Sequence, residues 1–106
     1  MNKIIDVAEK IDNPSALTQD QGDIIFNAII PFFEKNEPIT LDFSNVESMI
    51  SPFLNNSIGK LYEKYTGDDI KKILTLKNFP PEKNSTLNLV ISNAKKYYSN
   101  KEKFEK

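Results

Sequence analysis

The chain contains no cysteine, histidine, tryptophan or arginine, and each absence closes a class of chemistry. Without cysteine there is neither a disulfide nor a thiolate nucleophile, and cysteine usage says nothing about redox compartment. Without histidine no imidazole can serve as base, metal ligand or pH sensor, so only oxygen ligands remain for a metal. All 14 basic residues are lysines, so no guanidinium fork is present to grip a phosphate through two parallel bonds. Long apolar runs are lacking too. The longest, residues 24–33, is interrupted by Asn27 and Pro31 and is far too short to span a bilayer. The N-terminal MNKIIDVAEK has no apolar signal core and no small-residue cleavage site. The expected location is therefore the cytoplasm, with no membrane contact.

What is present describes an ordinary globular chain. Hydrophobic residues make up 39% and charged residues 27% of 106, enough to bury one core without staples. We expect one domain over residues 1–106, with residues 1–14 an N-terminal strand and loop and residues 99–106 a polar tail that frays. A net charge of −1 gives no general attraction to nucleic acid or anionic lipid.

The most ordered stretch runs from Ile39 to Tyr65. Ile39, Leu41 and Phe43 alternate with Thr40 and Asp42, which predicts a strand with one buried face. Ser44-Asn45 breaks it, and Ser51-Pro52 then reads as a helix start, with the serine as N-cap and the proline at the first helical position. Leu54, Ile58, Leu61, Tyr62 and Tyr65 form the apolar stripe of that helix. A helix opening beside the carboxyl end of a strand is where α/β sheets place sites.

Around this centre, Lys3 to Val7 reads as a first strand, at an edge or beside the central one. Ala8 to Leu17 reads as a loop with some structure, with a turn at Asn13-Pro14-Ser15. Thr18 and Gln21 match a capping box that opens a helix through Phe33, where Pro31 predicts a kink near Asn27 or an early end. Thr66-Gly67 reads as a C-cap with Gly67 left-handed, residues 70–77 as a strand, and Phe79-Pro80-Pro81-Glu82 as a loop. Residues 84–98 read as a closing helix ended by Lys95-Lys96.

Four features compete as functional sites. Ser51 is a cap on the plainer reading and a phosphoacceptor on the sharper one, since a phosphate there meets free amides and the positive helix end. Asp42 reads as an anchor for the loop amides that follow it. It has no histidine or convergent carboxylate to make an acid/base pair, so an enzyme is the weakest reading. The lysine-rich end, Lys95, Lys96, Lys101, Lys103 and Lys106, is diluted by Glu102 and Glu105 and reads as a solvated helix end, not as a nucleic-acid surface. Phe79, Tyr97 and Tyr98 around Pro80-Pro81 read as core closure, with the tyrosines as interface anchors. Gly22 and Gly59, isolated within helices, mark close packing and not phosphate binding.

The segments LDFSNV and SPFLNNSIGKLY, with ALTQDQG before and VISNAKKYY after, resemble the bacterial STAS-like domain family of unknown function. That family looks like a branch of the STAS fold of the anti-sigma-factor antagonists, and the resemblance spans residues 15 to 98. It implies a small sheet backed by helices on one face, and a role as a protein-binding, regulatory module instead of a catalyst. The alternation of strand and helix patterns itself predicts an α/β domain with a mixed sheet of about four strands, and no metal or cofactor is expected. In the antagonists a serine opening the helix after the central strand is phosphorylated by a partner kinase, and Ser51 falls at that point, in the run Ile50-Ser51-Pro52-Phe53.

The leading expectation is an interaction module that binds a protein partner through Ser44, Asn45, Ser51, Pro52, Asn55 and Asn56, with Asp42 holding the loop. A homodimer built on exposed aromatic residues fits equally well. The alternative is a small-molecule or nucleotide sensor holding an anion at the Ser51 helix terminus.

Overall fold

The computed structural model describes residues 3–105, with side chains to residue 99. The tail lysines Lys101, Lys103 and Lys106 therefore lie outside the described side chains. Three strands, β1 (Lys3–Asp6), β3 (Ile39–Asp42) and β5 (Leu74–Lys77), form a parallel sheet in the order β1-β3-β5. Two short strands, β2 (Ser15–Ala16) and β4 (Ser48–Met49), pair in parallel beside it. The strands thus divide into three and two, all parallel, in place of one mixed sheet of about four. The reason is connectivity: every return passes through a helix, and a crossover of that length joins parallel strands.

The first crossover carries α1 (Val7–Ile11), β2 and α2 (Gln19–Glu34). The second carries β4, α3 (Ser51–Ser57), a 3-10 segment (Gly59–Glu63) and α4 (Gly67–Ile73). Connections that keep one hand and always step the same way along a sheet leave their helices on one face. The burial agrees. Ile5, Leu41 and Leu76 stand in register with Leu41 fully buried, while on the opposite face Ile4 is 52% exposed and Thr75 is exposed. Thr40, expected on the solvent side, is buried as well, because it lies in the central strand between two neighbours.

The core gathers Ile25, Ile29 and Phe33 of α2, Phe53 and Leu54 of α3, Leu61, and Ile39, Leu41 and Phe43. α2 and α3 cross closely at Gly22, where an added Cβ would stand 2.5 Å from the Phe53 carbonyl oxygen and 2.8 Å from the Asn56 Cβ. Ser57, buried at the same crossing, donates its hydroxyl to the Phe53 carbonyl at 2.9 Å.

Several sequence expectations are corrected. The structure expected within the loop of residues 8–17 consists of α1 and β2. Asp6 caps α1 through the Glu9 N–H, and the chain leaves α1 with Asp12 left-handed. α2 runs to Glu34 despite Pro31, which sits exposed in the last turn, where one backbone bond is lost. It ends in a Schellman motif: Asn36 is left-handed, Glu37 N–H donates to Phe32 O at 2.8 Å, and Asn36 N–H donates to Phe33 O at 3.2 Å. The helix expected from Pro52 to Tyr65 is split into α3 and the 3-10 segment at Ile58-Gly59. Gly67 is not a left-handed cap, since no glycine has positive φ among the described residues. Thr66 instead opens α4 with a capping box to Asp69. Residues 70–77, expected as strand throughout, are helix to Ile73 and strand from Leu74. The final helix α5 (Asn84–Glu105) continues past Lys95-Lys96, where an end was expected.

Candidate functional site

The carboxyl ends of the three parallel strands bring together Asp6, Asp42 and Lys77, which share one rung of the sheet. β3 delivers Asp42 there because a strand of four residues places its last side chain at the sheet rim. Asp42 Oδ1 accepts from the Ser44 N–H at 2.9 Å and from Asn78 Nδ2 at 3.1 Å. The Asn78 amide, helped by the Ser44 contacts, holds the Asp42 carboxyl below its ordinary value. The expected anchoring role of Asp42 is present, and Asn78 is a partner that the sequence did not reveal. A left-handed asparagine directly after a strand, Asn78 at φ 58, is the local signal that could have found it.

Asn45 extends the same rim. Its Nδ2 donates to Asp6 Oδ2 at 2.8 Å, so the loop after β3 is tied to the end of β1. Ser44 and Asn45 are both exposed. Among the described residues no group of three or more acidic side chains is placed to hold a metal ion.

Ser51 sits differently from the expected N-cap. Ile50 has the extended N-cap dihedrals, and the helix start has no side-chain cap hydrogen bond. The Leu54 N–H, which a serine cap would take, donates to the Ile50 carbonyl at 3.4 Å. Ile50 continues the extended chain of β4, so the turn into helix falls one residue later than the serine cap requires. Ser51 and Pro52 are half-buried as the first two helical residues. α3 is only seven residues long and Pro52 brings no N–H to its first turn, so an anion there would find a weak dipole and one donor fewer.

Asn55 and Asn56 belong to another neighbourhood. Asn56 Nδ2 donates to Asp23 Oδ1 at 3.0 Å, and Lys60 Nζ reaches the same oxygen at 2.6 Å. The Lys60 contact, then that of Asn56, lowers the Asp23 pKa. Both asparagines line a groove of about 250 Å³ against α5. The proposed site residues are thus divided by their partners: Ser44 and Asn45 at the sheet rim, Ser51 and Pro52 at the α3 start, Asn55 and Asn56 beside α2 and α5. The aromatic set is divided as well. Phe79 packs edge-on against Phe43 at 5.0 Å, whereas Tyr97 and Tyr98 meet each other.

Beside Ser51 the surface is apolar. Ile50 N–H donates to Ala16 O at 3.2 Å, which continues the β2–β4 pairing and sets Leu17 opposite Ile50. Leu17 is 42% and Ile50 43% exposed. The free edge of β2 is covered by Gln21, whose Oε1 accepts from Leu17 N–H at 2.7 Å and Thr18 N–H at 3.0 Å while Nε2 donates to Ser15 O at 3.0 Å. The sequence marked Gln21 only as half of a capping box, a role it also fills.

Among the described residues no helix is long and apolar enough to cross a membrane. Comparison with curated proteins and with solved structures returned no match. The family model described as STAS-like domain of unknown function (DUF4325) matches residues 21–84, more than half of the chain, from the first turn of α2 through β3, α3 and β5 to the first residue of α5. The chain is therefore a member of this STAS-like domain family of unknown function.

Proposed function

We propose that the domain is a non-enzymatic regulatory module of the bacterial cytoplasm that binds a protein partner through the loop and helix start around Ser51. The observation that carries this reading is the exposed Leu17–Ile50 pair immediately beside the serine. Adjacent large apolar side chains at a rim of polar loop are the composition of an interface centre. Ser51 is half-buried next to them with no capping bond to give up, so a phosphate there would bring charge against an apolar contact, where desolvation opposes docking. The non-catalytic part of the reading is supported by the carboxylates of the sheet rim. Asp42 and Asp6 direct their oxygens to Ser44, Asn78, Glu9 and Asn45, which serves loop architecture.

The test is capture from native lysate on wild-type, Ser51→Asp and Ile50→Glu baits, with thermal melts of all three. The expected result is a protein retained by wild type and lost by both variants at unchanged melting temperature. Retention of the same protein by both folded variants would contradict the reading.

A further inference from the structure

The groove between the 3-10 segment and α5 contains every tyrosine of the chain. Tyr62, Tyr65, Tyr97 and Tyr98 are the four tyrosines, and they line two cavities of about 340 and 250 Å³ that share Tyr98. Tyr97 is 63% exposed and meets Tyr98 edge-on with centroids 5.0 Å apart. A tyrosine offers a rigid apolar body and a polar tip at low entropic cost, which is why such residues anchor interfaces.

The charge of the walls is positive although the chain carries −1 overall. Lys64 and Lys95 line the larger cavity and Lys60 the smaller, against Glu63. Lys60 is neutralised by Asp23, whereas Lys95 is exposed with its Nζ 5.8 Å from the centre of the Tyr62 ring. Asn55 and Asn93 add side-chain amides to the smaller cavity. An amide both donates and accepts, as a peptide backbone does, whereas a phosphate only accepts. With no arginine present and with Lys64 and Lys95 outnumbering Glu63 along the larger cavity, the complement is an extended chain bearing carboxylates.

We propose that this groove docks an acidic peptide segment of a partner protein, with apolar side chains against Tyr97 and Tyr98 and a carboxylate at Lys95. The surface is independent of the one around Ser51, so either reading can fail while the other stands.

The probe is a phage library of random dodecapeptides, panned on the full chain and counter-selected on Lys95→Glu. Enriched peptides are then synthesised and titrated by fluorescence anisotropy. The expected result is enrichment in Asp and Glu, with affinity falling about tenfold or more in Lys95→Glu and in Tyr97→Ala, and held in Lys95→Arg and Ser51→Asp. Both varied side chains are exposed, and a thermal melt of each variant excludes unfolding as the cause. Peptides without acidic enrichment, or bound equally by Lys95→Glu, would overturn the proposal. So would a labelled oligothymidylate that binds in place of peptides, or wild-type self-association that Tyr97→Ala abolishes; these assign the groove to nucleic acid or to a second copy.

Discussion

Asp42 links the central strand to its own outgoing loop, through the Ser44 N–H, and to the loop beyond β5, through Asn78. Because the bonds from Asn78 and Ser44 favour the ionised form, its folded pKa lies below its ordinary value. A carboxyl depressed by folding contributes stability above its unfolded pKa and loses it as pH falls through the folded one. Urea denaturation of wild type should therefore show a loss of stability beginning below about pH 4 that is smaller in Asp42→Asn. An identical pH profile in the two proteins would remove Asp42 from the account. At this scale the sequence was legible where the interaction is local. An aspartate two residues before a loop amide announces an Asx turn, but Asn78 lies 36 residues away and reaches Asp42 only because β5 pairs with β3. The cap reading of Ser51 failed by one residue, since the extended conformation of β4 runs on through Ile50 and occupies the cap position.

At the scale of elements, two residues hold α2 in place. Gly22→Ala would ordinarily strengthen a helix by about 1 kcal/mol. Here the new Cβ would meet the backbone oxygen of Phe53 at 2.5 Å, which a side-chain rotation cannot relieve. We expect a net loss of about 1–3 kcal/mol from overpacking, read as a lower urea midpoint; a rise would mean that α2 and α3 do not cross here. Gln21→Ala removes the side chain that serves both the helix cap and the edge of β2, and should cost about 1–2 kcal/mol by the same measurement. A loss within error would reduce Gln21 to a solvated surface residue. Residues 67–77 explain why element types were only partly readable. Ile70 and Ile73 carry the helical spacing and Leu74 and Leu76 the strand alternation. The two periods abut without a glycine or proline between them, so composition favoured one label for both. Thr66 and Asp69 mark the helix start, and read as a capping box they would have separated the two.

The whole molecule follows from parallel returns. Alternation of strand and helix patterns was enough to read an α/β domain, and the resemblance carried by LDFSNV and SPFLNNSIGKLY agrees with the family match over residues 21–84. The pairing of β2 with β4 was not readable, because strands of two residues leave almost no periodicity. Their pairing is what sets Leu17 beside Ile50, and so the apolar surface at Ser51 is a product of topology more than of any local motif. Asn55 and Asn56, grouped in sequence with Ser51, instead line the groove that holds Tyr97 and Tyr98.

The central claim is that partner contact is made at Ile50 and Ser51. Site-specific photocrosslinking tests it most directly, with a benzophenone side chain placed at Ile50 and, as a control, at the exposed Lys71 on α4, each irradiated in native lysate. We predict a discrete covalent adduct to another protein from the Ile50 position, absent from the Lys71 position and suppressed when Ser51→Asp is combined with the Ile50 probe. No adduct at Ile50, or the same adduct from both positions, would contradict the account.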